Sequence, residues 1–401
     1  MKSSLHSLAV LGGAPAFAER LYVGRPNIGN REHFLARVND ILDRRWLTNG
    51  GHYVREFEKA LAALTGARHF IAACNGTVAL ELAIRALGLR GEVILPSFTF
   101  VATAHALQWQ EITPVFCDIE PGSHTLDPAR VEERITPRTS GIIGVHLWGT
   151  PCPVEELADL ARRRGLRLLF DAAHALGSTR GGRPVGGFGD AEVFSFHATK
   201  FLNTFEGGGI ATNDDALAAR LRLMKNFGFA GYDDVVYLGT NGKMSEVQAA
   251  MGLTGLESLD EFIACNRRNH ERYRAALAGL AGVRLMERDG TERHNFQYIV
   301  LEVDESAALS RDELLRVLWA ENVVARRYFH PGCHRMEPYR TLFPGLAARL
   351  PVTERVCGRV LVLPTGTAIG EAEVDGIGSI LRCALAHGAE VRAALARSPG
   401  P

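Results

Sequence analysis

The stretch Leu166-Arg167-Leu168-Leu169-Phe170-Asp171-Ala172-Ala173-His174 carries the fold assignment. Residues 166–170 form a short, almost wholly apolar run of strand length, and a carboxylate, Asp171, falls at its end. A run that is apolar on both faces fits a strand covered on both sides. Working outward, similar runs recur at 70–74, 93–95, 115–118, 142–146, 193–196 and 209–212, and amphipathic segments such as 78–87 and 154–164 lie between several of them. That alternation predicts an α/β sheet, mainly parallel, with helices on both faces. Ligands in such sheets sit at the carboxyl ends of the strands, so the residues just after each run are the ones to read for chemistry.

Beyond Ser245 the pattern changes. A long helix is predicted over 246–280, with Arg267, Arg268, Arg272 and Arg274 on its polar side. A strand (296–303), a helix (312–321), a turn-rich segment (329–350) and a last helix (371–386) follow, which reads as a smaller α+β domain. The expected organisation is an N-terminal segment, 1–40, packing on the small domain, then a large domain, 41–255, and the small domain, 256–401. Ser398-Pro399-Gly400-Pro401 is expected to fray.

Composition narrows the function classes. Lys plus Arg equals Asp plus Glu, 45 against 45, so no net field favours nucleic acid or a membrane surface. The cluster Arg162, Arg163, Arg164 and Arg167 reads as a solvated helix end, because no aromatic or basic run sits beside it. The seven cysteines show no CxxC and no pairing pattern, which argues for reduced, structural thiols in a cytoplasmic protein. Ala16-Phe17-Ala18 imitates a cleavage site, but the apolar run before it is only 8–11 and is broken by Gly12, Gly13 and Pro15, so a signal peptide is rejected. No stretch approaches the roughly 20 apolar residues that span a bilayer.

Three constellations could carry chemistry. Asn75-Gly76-Thr77 follows a strand and opens a helix, where free N–H groups make an anion site; an ordinary N-cap reads equally well there. Asp171, at the end of an apolar strand, needs a cationic or donor partner, or is itself a cap. Lys200 lies just beyond the run ending Phe194-Ser195-Phe196 and before Glu206-Gly207-Gly208-Gly209; desolvation there would turn an ordinary surface amine into a nucleophile. The triple glycine reads as tight backbone packing near a ligand or as a strand start. Together the three call for a cofactor with a phosphate, a cationic ring nitrogen and an aldehyde, and pyridoxal phosphate has all of them.

With those residues stand Pro96-Ser97-Phe98-Thr99-Phe100, Pro137-Arg138-Thr139, His146-Leu147-Trp148-Gly149, Asp171-Ala172-Ala173-His174, Ser195-Phe196-His197-Ala198-Thr199-Lys200 and Gly239-Thr240-Asn241-Gly242-Lys243-Met244-Ser245-Glu246. In order and spacing the chain resembles, from about Trp46 to Pro364, the DegT/DnrJ/EryC1/StrS family of sugar aminotransferases. The resemblance implies the fold-type-I aminotransferase architecture and a role for each matched residue. Gly76, Thr77 and Ser195 are expected at the cofactor phosphate, Phe100 on one face of the pyridine ring, Asp171 at the protonated ring nitrogen and Lys200 as the Schiff-base lysine. His174 stands where many members have Gln and is expected at the phenolic oxygen. Asn241 is expected to reach the phosphate of a neighbouring subunit, making a homodimer the minimum active unit. Lys243 stands where many members have Arg; as a point charge it lacks the bidentate fork that would grip a donor carboxylate.

Within the family, the stretches around 145–149, 328–339 and 363–370 are most like the dTDP-4-keto-6-deoxyglucose 4-aminotransferases. That likeness implies a nucleotide-linked ketosugar as amino acceptor, L-glutamate as donor (2-oxoglutarate leaving) and pyridoxamine phosphate between the two half-reactions. Trp148, Lys243, Tyr328, His330 and His334 are the candidate substrate contacts, with Phe329, Arg335 and Tyr339 beside them, and some of this segment is expected only to fix the turn at Pro331-Gly332. The alternatives are a 3-ketosugar aminotransferase and a non-catalytic regulatory member; a regulator has no need for Lys200. Related dehydratases carry His in place of that lysine. Two other readings are set aside. His330-Pro331-Gly332-Cys333-His334 lacks helical i, i+4 geometry for zinc, and the glycine-rich Gly181-Gly182-Arg183-Pro184-Val185-Gly186-Gly187 lacks a P-loop's Lys-Ser/Thr and reads as a hairpin turn.

Overall fold

The expected strand runs fall, with ends displaced by a few residues, on seven strands of one sheet in a computed structural model that describes residues 2 and 4–397. These are β1 (His69–Ala73), β2 (Glu92–Pro96), β3 (Thr113–Cys117), β4 (Thr139–Val145), β5 (Arg167–Asp171), β6 (Ala191–Ser195) and β7 (Gly208–Thr212). Their order across the sheet is β1-β7-β6-β5-β4-β2-β3. Only β7 runs against its neighbours; the other pairings are parallel. Alternate side chains leave by opposite faces. Phe70, Ala72, Leu168, Phe170 and Phe194 pack toward helix His52–Thr65, while Ile71, Ala73, Leu169, Val193 and Ile210 pack toward helix Gly76–Ala86. Burial on both faces is why these strands read as continuous apolar runs rather than as alternating ones.

Beside this sheet lies a smaller antiparallel one, β8 (Val283–Leu285), β9 (Ile299–Val303) and β10 (Val360–Leu363), covered by helices Leu259–Leu277, Arg311–Ala320 and Glu371–Ala386. β9 begins later than expected because Phe296 is held in the left-handed region (φ 50°). Near the N-terminus, Leu21–Tyr22 pairs in parallel with Val323–Val324, and Leu8 joins the apolar cluster of the small sheet. Helix Arg31–Arg44 lies instead along helix Glu246–Glu257, where Arg37 donates to Thr254 Oγ1 at 2.7 Å. Ile41 is the one buried residue of this helix.

The single helix expected over 246–280 is corrected to two, Glu246–Glu257 and Leu259–Leu277. Ser258 (φ −105°, ψ 11°) closes the first and opens the second: its N–H donates to Gly255 O at 3.1 Å and its carbonyl accepts from Phe262 N at 3.0 Å. Asp260 and Glu261 then fall in a first turn, where the helix dipole favours carboxylates. A one-residue break barely disturbs a 3.6-residue period, so the pattern alone runs straight through it. The hairpin reading holds: Gly181 (φ 57°) and Gly182 (φ 71°) make the two-residue turn between the paired strands Thr179–Arg180 and Arg183–Pro184. Among the described residues no helix is long and apolar enough to cross a membrane. Ser398-Pro399-Gly400-Pro401, expected to fray, lies outside the described residues.

Candidate active site

At the carboxyl ends of β1, β4, β5 and β6 opens a cleft of about 560 Å³. Of the expected site residues, Gly76, Thr77, Phe100, Asp171, His174, Ser195, Lys200 and Tyr328 all line it. They come from five separate stretches of the chain, which the parallel sheet brings to one end.

The cradle is built by packing. Asn75 caps helix Gly76–Ala86, its side chain accepting from Val78 N at 2.8 Å, so the cap reading and the anion-site reading are both true of this turn. A Cβ at Gly76 would lie 3.0 Å from Ser195 Cβ, and a Cβ at Gly208 would lie 2.6 Å from Gly76 N. Glycine at both places lets the helix start and β7 close on Ser195. Both readings of the triple glycine hold at Gly208, which packs tightly beside the cradle and opens β7. First-turn N–H groups, a Thr hydroxyl and a Ser hydroxyl converge on one small volume, which suits a phosphate.

Asp171 sits at the end of β5 between Val145 of β4 and Val193 of β6. One carboxylate oxygen accepts from Thr103 Oγ1 at 2.8 Å and the other from Ala173 N at 3.1 Å. Burial raises its pKa, against the hydrogen bonds of Thr103 and Ala173 and the nearby charges of Lys200 and His146. A carboxylate pushed up by burial gains from a cation placed beside it. Lys200, in the turn after β6, donates its backbone N–H to His197 O at 2.8 Å. Burial lowers its amine to about 8, with Asp171 and Tyr328 pulling the other way. Near pH 8 a large share of this lysine is therefore the neutral nucleophile, as carbonyl addition requires.

His174 accepts from Trp148 N at Nδ1 (3.3 Å) and lies parallel to the Phe329 ring at 5.9 Å. Burial, then Lys200, holds its pKa well below the usual histidine value, so the ring is neutral. Phe100, 57% exposed, presents a ring at the rim. Tyr298 also lines the cleft, and its ring lies 4.6 Å from that of His174. Neither Tyr298 nor Thr103 is singled out by the sequence. Tyr298 lies in a predicted structural strand stretch, and Thr103 reads as an ordinary helical residue one turn after Phe100.

A buried carboxylate, a desolvated amine, an anion cradle and an aromatic rim fit pyridoxal phosphate, which needs one of each. Other expected contacts are placed elsewhere. Trp148, 1% exposed, does not line the cleft; it packs behind His174 with its ring 5.4 Å from Phe329. His334, 3% exposed, is bound between Ser97 Oγ (2.7 Å) and Glu354. Arg335 pairs with the same Glu354, and Tyr339, wholly buried, bonds His105 at 2.7 Å. His330 contacts Cys357 O at 3.2 Å. In the turn-rich segment, then, Tyr328 and Phe329 face the cleft, while His330, His334, Arg335 and Tyr339 hold the turn in place. Asn241 and Lys243 bond one another and lie outside this chain's own cleft, with Lys243 Nζ 4.6 Å from the Phe227 ring. Among the described residues no three His, Cys, Asp or Glu side chains converge as metal ligands.

Known proteins bear on this geometry. The model of the DegT/DnrJ/EryC1/StrS aminotransferase family matches residues 29–382, further in both directions than the motifs alone reach. A dTDP-4-amino-4,6-dideoxy-D-glucose transaminase of Shigella dysenteriae is 37% identical over 90% of this chain and 98% of its own length. A GDP-perosamine synthase of Caulobacter vibrioides is also 37% identical, over 89% of this chain and 96% of its own. Among solved structures, DesI in the presence of its TDP-sugar product superposes with a TM-score of 0.94 at 51% identity, covering 98% of this chain and 100% of that one.

Proposed function

The chain belongs to the DegT/DnrJ/EryC1/StrS aminotransferase family, and on that premise we propose that it moves an amino group from L-glutamate to a dTDP-linked 4-keto-6-deoxyhexose, forming dTDP-4-amino-4,6-dideoxyglucose. The observation that carries this reading is the convergence of Lys200, Asp171 and the Gly76–Ser195 cradle in one cleft. The substrate class is supported by the relatives named for that sugar and by DesI, whose structure was analysed in the presence of its TDP-sugar product. Lys200 argues against a regulatory member, which has no use for a desolvated amine at the base of a cleft.

Gly76, Thr77 and Ser195 would hold the cofactor phosphate, Phe100 would cover a ring face, and His174 would donate to the phenolic oxygen. Bound there, pyridoxal phosphate supplies an aldehyde that takes up amino groups and a ring that accepts the electron pair left when a carbon loses its proton. Asp171 would lie beside the ring nitrogen, where its negative charge would favour a proton on that atom. Lys200 anchors the cofactor through Nζ. The same Nζ, half neutral near pH 8, would take the proton from the donor carbon and return it, as general base and then general acid. The ketosugar half-reaction uses the same groups in reverse order. Phe100, Tyr328 and Phe329 give the cleft an aromatic wall beside which the proton would move.

Steady-state comparison of the 4-keto and 3-keto isomers of one dTDP-6-deoxyhexose with glutamate tests the regiochemistry. The 4-keto sugar is expected to have the higher kcat/KM; a preference for the 3-keto isomer overturns the assignment of the carbon while leaving transamination intact. Polar groups built for particular hydroxyls reject misplaced ones more strongly than an apolar wall rejects a methyl.

The working unit is a homodimer with shared sites. Its support is an apolar surface at 227–238, where Phe227, Val235, Val236 and Leu238 are each more than two-fifths exposed next to Asn241 and Lys243. Lys200→Ala and Asn241→Ala protomers, each impaired alone, are expected to recover activity when mixed under subunit exchange. Full activity in a sedimenting monomer contradicts this.

A further inference from the structure

Behind the cleft wall formed by His174 runs a chain of hydrogen bonds that the transamination reading leaves unused. We propose that Glu302, His124 and Trp148 form a positioning relay that fixes His174 as the tautomer protonated at Nε2.

Two obligate donors force the proton positions. The backbone N–H of Trp148 lies 3.3 Å from His174 Nδ1, and an amide N–H can only donate, so that ring nitrogen carries a lone pair. The indole Nε1–H of Trp148 lies 3.2 Å from His124 Nδ1, and an indole N–H also can only donate. His124 therefore keeps its proton on Nε2, which lies 3.0 Å from Glu302 Oε1. Glu302 is held in turn by Arg284 at 2.7 Å. Both histidines are buried, His124 at 0% and His174 at 6% exposure, so water cannot easily supply the alternative partners.

The backbone shows that these contacts hold something against its preference. Trp148 (φ 59°) and His124 (φ 62°) both occupy the left-handed region that side chains other than glycine avoid. Trp148 stays there because its indole is fixed at both ends, by His124 at Nε1 and by the parallel Phe329 ring at 5.4 Å. Released from His124, the tryptophan can relax to an ordinary conformation, and its amide leaves His174.

The consequence rests on the proposed reading in which His174 meets the phenolic oxygen of the cofactor. An Nε2–H there stabilises an oxyanion, whereas the other tautomer would present a lone pair to it. His124, Trp148 and Glu302 touch no reacting atom in this account; they act through His174.

The test begins with the cofactor-free protein labelled with ¹⁵N-histidine, so it does not depend on the transaminase reading. Nitrogen shifts at neutral pH, with His174→Gln used for assignment, are expected to show His124 and His174 neutral and protonated at Nε2. An Nδ1-protonated or charged His174 overturns the proposal. Glu302→Leu is expected to give mixed tautomers at His174, and Glu302→Gln, which keeps an acceptor oxygen, to restore one. If Glu302→Leu does not fold, Trp148→Phe removes the indole donor while keeping an aromatic ring. An unchanged His174 tautomer in whichever of these variants folds overturns the relay. In turnover, Glu302→Leu should lower kcat/KM about tenfold but have no further effect in a His174→Gln background, whose amide donor needs no tautomer. Equal losses in both backgrounds would mean that Glu302 acts by some route other than His174.

Discussion

Lys200→Ala is expected to lose transamination entirely while the protein still folds. Lys200 is half-buried in the turn after β6, and no ion pair of the core depends on its amine, so truncation should leave the large sheet in place. What goes is the one lysine amine among the described residues that line the cleft. In the proposed mechanism that amine would both anchor the cofactor and move the proton, so two functions would vanish together. The wild-type amine also has a pH signature. Burial lowers it to about 8, so the rate at which cofactor-free protein takes up pyridoxal phosphate should rise with pH to a midpoint near 8. A midpoint near an ordinary lysine's 10.4 would show that the amine is not desolvated. Residual turnover in Lys200→Ala above about one part in a thousand would place the proton transfer elsewhere.

Asp171→Asn keeps the shape and removes the charge. The variant should fold, because the amide oxygen can still accept from Thr103 or Ala173. It should lose at least about 3 kcal/mol of transition-state stabilisation, on the order of a hundredfold in rate. The reason is electrostatic. A buried carboxylate whose own pKa is raised by desolvation is costly to maintain, and a cation beside it offsets that cost. In the proposed mechanism, removing the charge would weaken the hold on the ring-nitrogen proton and so the ring's capacity to accept electrons. Near-normal kcat in a correctly folded Asp171→Asn would remove Asp171 from the mechanism.

Much of this was legible in the sequence because a doubly covered parallel sheet writes itself as apolar runs, and because chemistry in such sheets gathers just past the strand ends. Asp171 directly follows one such run, Lys200 lies four residues beyond another, and Asn75-Gly76-Thr77 follows a third. The reading failed where local pattern carries no tertiary information. A one-residue break at Ser258 preserves the helical period. His334, Arg335 and Tyr339 have the chemistry of ligand contacts, yet Ser97, Glu354 and His105, distant in sequence, already occupy them. Trp148 lies behind His174 rather than along the cleft wall, and nothing in a tryptophan's neighbours announces its positive φ. Thr103 was invisible because a threonine inside a helical pattern says nothing about the carboxylate it meets.

Reductive labelling tests the account most directly. The protein is incubated with pyridoxal phosphate, reduced with borohydride, digested and mapped by mass. The account predicts the reduced cofactor on Lys200, in stoichiometric yield, with loss of the visible absorbance that precedes reduction. Stoichiometric label on any other lysine, with Lys200 unmodified, would contradict it.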